Sequence, residues 1–387
     1  MRQKFAPLSL VFSLVALLAG LWIVVPAPAR SLWLWAVAAG EWSLWLAMLG
    51  LSGAALGLWA RRAEPGRTAH WAIVAGLCAV GLGLYPLASA WRVARANGVE
   101  LSGRRYFLGG ISAPRGAAPQ TVVFNQVDGQ ELRLDIYLPA TGAITMRPAV
   151  IVVHGGGWDS GAKSDFPQWN YWLAQQGYAV FDIEYRLRPQ PNWQSATGDV
   201  KCAVGWVKRN AAQYGVDARR VALLGRSAGG HLALLAGYTA QINELPASCG
   251  SEDTSVRAVI AFYAPTDMIW DYENPANQRV IDGPGTISNF VGGTPETNAA
   301  AYIMASPVNQ VNAQTPPTLL LQSGTDQLVL PENVARLRQP LQAARVPHRA
   351  VIIPYGQHGF DYNFNGWGSQ IAQPVILQFL QEHLAVR

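Results

Sequence analysis

The chain has 387 residues, half of them apolar, with 29 basic against 24 acidic side chains and a net charge of +5. Residues 1–91 hold Arg2, Lys4, Arg30, Arg61, Arg62 and Arg67 against Glu41 and Glu64, which is +4 of that +5, so the basic surplus gives no support for nucleic-acid binding. The three cysteines show no metal-ligand spacing, and there is no phosphate loop or dinucleotide fingerprint, so neither a metal nor a cofactor is expected.

The N-terminal quarter reads as membrane. Residues 6–25 run for about twenty positions without a charge, enough to span a bilayer. Residues 42–60 and 71–91 are two more such stretches, bounded by tryptophans suited to the interface, and eight of the fifteen tryptophans fall in this region. Residues 32–40 either extend the second span or lie along the interface, and Glu41 reads as a snorkelling or loop residue. Arg2, Lys4, Arg61, Arg62 and Arg67 fall on one side and Arg30 on the other. The positive-inside rule then puts the N-terminus in the cytoplasm, and three crossings export the remainder of the chain. Arg92, Arg95, Arg104 and Arg105 oppose this, but long domains translocate largely regardless of charge. Ala27-Pro28-Ala29 leaves cleavage of the first span open as an alternative.

Residues 92–120 turn to Gly, Arg, Ser and Pro and are expected to be a linker and domain entry. Residues 121–387 are long enough to bury one large core. Within them, residues 149–153 form a buried-strand run that leads into His154-Gly155-Gly156-Gly157-Trp158. Consecutive glycines leave backbone N–H groups able to face a developing oxyanion. Residues 221–224 are another such run, followed by Gly225-Arg226-Ser227-Ala228-Gly229 and a helix-favouring stretch, the context in which a serine is held exposed as a nucleophile. Residues 271–309 interrupt the strand series; their Trp270 neighbour, Tyr272, Phe290 and Tyr302 read equally as a lid or acyl pocket over Ser227 and as ordinary core aromatics of a surface helix. Two further strands end at Asp326 and just before His358, placing an acid and an imidazole after the serine in chain order. His358 is the expected base, with Asp326 orienting it. His154, His231, His348, His70 and His383 fit less well as base, as do Asp361 and Asp267 as acid. Cys202 and Cys249 could bridge if the domain faces an oxidising compartment.

These motifs resemble the α/β-hydrolase family, in its carboxylesterase and hormone-sensitive-lipase-like (BD-FAE-like) branch. The resemblance extends to Asp182-Ile183-Glu184-Tyr185-Arg186-Leu187 and to the segment from Asp199 to Gly225. It implies an α/β fold with a mostly parallel, about eight-stranded sheet and helices on both faces, here preceded by about three transmembrane helices. It also implies an oxyanion hole from Gly156, Gly157 and the Ala228 N–H. Arg226 departs from the branch, which more often has an acidic or small residue there. It reads as a peripheral ion-pair partner or, alternatively, as a contact for an anionic substrate.

The expected activity is hydrolysis of a small-molecule, lipid or glycan ester through an acyl-enzyme, by a multi-pass membrane protein with its catalytic domain outside the cytoplasm. Acyl transfer with the same residues and a catalytically inactive binding module are the alternatives.

Overall fold

The computed structural model describes residues 5–63, 66–109, 114–140, 146–250 and 253–385. Arg2, Lys4 and Glu64, which enter the charge argument, lie outside the described residues. Four helices come first: α1 (Phe5–Leu21), α2 (Arg30–Glu41), α3 (Ser43–Ala63) and α4 (Arg67–Ala96). Their packing is inside-out relative to a water-soluble bundle. The buried positions of α1 are Ser9, Ser13, Ala16 and Gly20, whereas Leu8, Val11, Leu14, Val15 and Leu18 are exposed. In α4 the buried face includes Ala72, Gly76, Ala79 and Gly83, and the exposed face includes Trp71, Leu77, Leu84 and Trp91. Small residues let the backbones close up: a Cβ on Gly76 would sit 2.5 Å from the Gly50 carbonyl, and one on Gly53 would sit 2.8 Å from the Ser13 amide.

Two of these helices, Ser43–Arg62 and Arg67–Ala96, are long and apolar enough to cross a membrane. Phe5–Leu21 is apolar but shorter than the expected 6–25, because the chain leaves helical geometry in the turn at 22–25. Residues 32–40 do not extend the second span; they form α2, a separate helix broken from α3 at Trp42. Glu41 is 2 % exposed and therefore does not snorkel.

The stretch 92–120 is less of a linker than its composition suggests. It opens with the end of α4 and continues into α5 (Gly103–Leu108), where Tyr106 stacks on Trp367 with ring centroids 4.4 Å apart. Ala90, Ala94 and Tyr106 are buried in the same core as the sheet, with Val93, Val99 and Leu101 packed against it.

Eight strands come next: β1 (Gln120–Val127), β2 (Gln130–Tyr137), β3 (Arg147–Val153), β4 (Ala179–Ile183), β5 (Val216–Arg226), β6 (Ala258–Phe262), β7 (Thr318–Ser323) and β8 (His348–Ile353). They form one sheet in the order 1-2-4-3-5-6-7-8. The pairs β1–β2 and β2–β4 are antiparallel and all others parallel. Residues 149–153, 179–183 and 258–262 are buried without interruption, as strands covered on both faces must be. One face carries α6 (Pro167–Gln175); the other carries α7 (Trp193–Arg209) and α8 (Ala228–Tyr238). The insert between β6 and β7 folds as α9 (Met268–Glu273), α10 (Gly283–Val291) and α11 (Ala299–Ala305). Helix α12 (Glu332–Ala343) joins the α7 and α8 face, and α13 (Trp367–Leu384) joins the α6 face. This is the α/β-hydrolase fold. Cys202 on α7 is disulfide-bonded to Cys249, with Cα atoms 5.4 Å apart.

Candidate active site

The sharp turn from β5 to α8 falls on one residue. Ser227 has φ 54° and ψ −122°, a conformation that side-chain-bearing residues adopt only when the surroundings hold them there. The surroundings do. A Cβ on Gly225 would lie 2.1 Å from the Gly229 carbonyl oxygen, and one on Gly229 would lie 2.2 Å from the His154 carbonyl oxygen. Only glycine at both positions lets α8 start this close to the sheet. The Ser227 N–H donates to the Phe262 carbonyl at 2.9 Å, which ties the turn to β6.

Ser227 Oγ lies 2.9 Å from His358 Nε2, and His358 Nδ1 lies 2.9 Å from Asp326 Oδ2. Asp326 follows β7 and His358 follows β8, neighbours in the sheet, so their loops converge at its C-terminal edge. The other Asp326 oxygen accepts the amides of Leu328 and Val329 at 2.9 and 3.0 Å, which fixes the carboxylate plane. The glycine loop passes on the opposite side: a Cβ on Gly155 would be 3.3 Å from Ser227 Cβ. Gly156 and Gly157 have φ 113° and 60°, so the chain there takes a path that side chains would oppose. Ala228 opens α8, where the first amides have no partner within the helix.

Two histidines near the serine are structural props. The His154 ring stacks on Tyr185 at 4.3 Å, and the Tyr185 hydroxyl donates to the His154 carbonyl, bracing the start of the glycine loop. His231 is fully buried on α8: its Nε2 contacts the Ala305 carbonyl at 2.7 Å, and its Nδ1 accepts from Trp158 Nε1 at 3.2 Å. Burial pushes its pKa down to about 4, so it is a neutral imidazole at pH 7. Trp158, held this way, stacks on Phe290 of α10 at 4.2 Å. Its place at the end of the glycine string was the available signal for that role.

Arg226 is buried rather than peripheral. Its Nε is 2.6 Å from Asp361 Oδ2, and its guanidinium lies over the rings of Phe166, Phe262 and Trp169. The Tyr263 hydroxyl donates to the other Asp361 oxygen at 2.6 Å, and burial with that carboxylate raises the phenol well above its ordinary range. Asp361 thus serves Arg226 while Asp326 serves the imidazole. Arg186 pairs through both Nε and Nη2 with Asp199, the two familial positions flagged in sequence.

Ser227 and His358 open into a cavity of about 780 Å³. Its lid side is lined by small and aliphatic residues of the insert, among them Pro275, Val280, Ile281 and Ile287. Trp270, Tyr272, Phe290 and Tyr302, the four aromatics considered for this role, do not line it; Phe290 and Tyr302 are wholly buried behind it. Asp271 does line it, with Oδ1 accepting from Asn333 Nδ2, and burial raises its pKa to about 7. Phe166, Leu328 and Tyr362 also line it, and a further wall comes from α2 through Trp33, Leu34, Val37 and Ala38 and from Trp42 just after it, which no sequence motif signalled.

A family model described as BD-FAE matches residues 134–341, more than half of the chain, and stops before His358. Among curated proteins the chain is similar to the probable carboxylic ester hydrolase LipM of Mycobacterium tuberculosis, 32% identical over 270 residues, covering 67% of this chain and 60% of that protein. It is also similar to the esterase LipC of the same organism, 32% identical over 244 residues, covering 61% and 59%. The chain thus spans about 60% of the length of these relatives. Among solved structures, Thermogutta terrifontis esterase 2 phosphonylated by sarin superposes with a TM-score of 0.60 at 24% identity, covering 71% of this chain and 99% of that one, a likeness of fold. The chain belongs to the BD-FAE family, and the matched segment carries both the glycine loop and the serine turn.

Proposed function

We propose that the protein is a membrane-anchored serine esterase, with Ser227 as nucleophile, His358 as general base and acid, and Asp326 as its orienting carboxylate. The observation that carries this reading is the unbroken chain from Ser227 Oγ through His358 to Asp326, with both contacts at 2.9 Å. Ser227 Oγ attacks the acyl carbon as its proton passes to His358 Nε2. The amides of Gly156, Gly157 and Ala228 receive the oxyanion, each donor contributing roughly 3 kcal/mol to lowering the barrier. Collapse breaks the bond to the alkoxy oxygen, which leaves as an alcohol with the proton from His358. Water then attacks the acyl-serine, giving its proton to His358; as the acyl–Oγ bond breaks, that proton returns to Ser227 Oγ and the carboxylic acid departs. Relatives named as esterases support the same reading.

The anchor reading is three crossings by α1, α3 and α4, with the catalytic domain outside the cytoplasm. In support, the apolar run of α1 continues through exposed Val24 and Val25. Phe5 and Trp59 meet at 5.0 Å, so the start of α1 and the end of α3 share one end of the bundle, near Arg61, Arg62 and Arg67. The end of α4 and the α1–α2 turn both meet the catalytic domain at the other end. The Cys202–Cys249 bridge suits an oxidising compartment.

Labelling with a fluorophosphonate probe tests the chemistry. The wild type should be modified on Ser227 and Ser227→Ala should neither label nor hydrolyse p-nitrophenyl acetate; retained hydrolysis would overturn the assignment. A cysteine placed at Arg67 should resist impermeant maleimide on intact cells, and labelling there would reverse the topology.

A further inference from the structure

The α2 helix lines the cavity into which Ser227 opens. We propose that it forms the wall against which the apolar portion of a bilayer-resident, amphiphilic ester lies, so that the substrate reaches Ser227 from the membrane side. This rests on the esterase reading above and names the substrate class for it.

The helix is held at the site by specific contacts. The Ala27 N–H donates to Gln327 Oε1 at 2.8 Å, and Asn277 Nδ2 donates both to the Ala27 carbonyl and to that same Oε1, at 2.6 and 2.8 Å. Ala27 and Trp33 are buried in one cluster with Val280 of the lid. The chain before α2 is therefore clasped to the residue beside Asp326 and to the lid at once.

The side chains of α2 that line the cavity are all apolar, apart from Arg30 at its first position. Leu34 and Trp42 line the cavity and yet are 58% and 44% exposed, so they stand at its mouth, and the adjacent Trp35 is 63% exposed. An apolar rim of this kind facing water is costly, whereas at the surface of a bilayer it is matched by its surroundings. The helix has 12 residues, about 18 Å of rise, too short to cross. Trp42 leads directly into α3, which is long and apolar enough to cross. An interfacial helix that is also a cavity wall gives an acyl chain a continuous apolar path from lipid to the serine. An ester dissolved in water gains nothing from that path.

The test uses the full chain reconstituted in phosphatidylcholine vesicles, with p-nitrophenyl acetate and p-nitrophenyl decanoate as probes. The wild type should favour decanoate in kcat/KM. Leu34→Glu should lower the decanoate-to-acetate ratio by about tenfold, chiefly through the KM for decanoate. Ala38→Phe, which fills the cavity without adding charge, should lower the ratio in the same way. Ile303→Glu, at an exposed position of α11 that neither lines the cavity nor belongs to the rim, should leave the ratio where it was. A ratio unmoved by both Leu34→Glu and Ala38→Phe, or moved equally by Ile303→Glu, would overturn the proposal. Ser227→Ala in the same vesicles separates the two readings: if it still hydrolyses acetate, the esterase assignment fails, whereas Ser227-dependent hydrolysis with no chain-length effect sinks only the role of α2.

Discussion

The backbone amide of Ala27 donates to the side chain of Gln327, three hundred residues away and next to Asp326. Gln327 Nε2 in turn donates to Gln357 Oε1, next to His358. The turn between α1 and α2 is therefore joined to the neighbours of both the acid and the imidazole.

Replacing Gln327 with leucine strands the Ala27 N–H and one Asn277 contact in a buried setting, where an unmet polar group costs about 1–3 kcal/mol. The Gln327→Leu protein should unfold at lower temperature by calorimetry, and its preference for decanoate should weaken. Unchanged melting and unchanged preference together would show that the clasp contributes nothing.

Asp326→Asn keeps the shape of the side chain but cannot stabilise a protonated His358. We expect kcat for p-nitrophenyl acetate to fall by about four orders of magnitude, with circular dichroism unaltered. A loss of tenfold or less would point to another acid.

His231 is held neutral in the folded protein, with its pKa lowered to about 4 from an ordinary value of 6.5. As pH falls below 6.5 the unfolded chain takes up a proton that the folded chain refuses until about pH 4, so this group withdraws stability across that window. The loss is on the order of 3 kcal/mol. Denaturant titrations of wild type and His231→Asn should therefore converge as the pH is lowered from 7 to 4. A difference that stays constant with pH would be contrary to this.

Glu41 has the opposite sign. Burial first, and the Asp361 carboxylate second, raise its pKa well above 4.5, and its Oε2 has no hydrogen-bond partner. The folded state retains a proton that the unfolded state releases, so the contribution is fully present below pH 4.5 and drains away as pH rises toward the folded pKa. Glu41→Gln should remove this dependence, and the variant should gain in melting temperature relative to wild type as the pH is raised from 5 to 8. A relative loss over that range would mean that the carboxylate is ionised and paired.

The meeting of Ser227, Asp326 and His358 was legible because each follows an apolar run of strand length, and the order of such runs is a one-dimensional property. The sheet was legible for the same reason. The α2 wall was not, since Trp33, Leu34 and Val37 carry no motif and their meeting with Ser227 depends on long-range docking. Arg226 and Asp361 are far apart in sequence, so their ion pair had no local sign. The burial of Glu41 was hidden because a charge at a helix end is normally solvated; here Gly366 packs so closely that a Cβ there would meet its carboxylate. The packing of Ala94 and Tyr106 into the core was hidden because the composition of 92–120 is rich in Gly, Arg, Ser and Pro.

The membrane crossing proposed for α4 makes the length of that helix a stand-off for the catalytic domain. Its 30 residues rise about 45 Å, some 15 Å more than a hydrocarbon core of about 30 Å. The excess is the segment that carries Ala90 and Ala94 into the core beneath the sheet. On the proposed crossing, the helix is a strut joined to the domain at its C-terminal end, and its length, with Pro86 inside it, sets the height of Ser227 above the lipid. Adding one residue in mid-strut would swing the whole catalytic head by about 100° around the bundle. Length and phase in α4 are in that sense part of the active site's address.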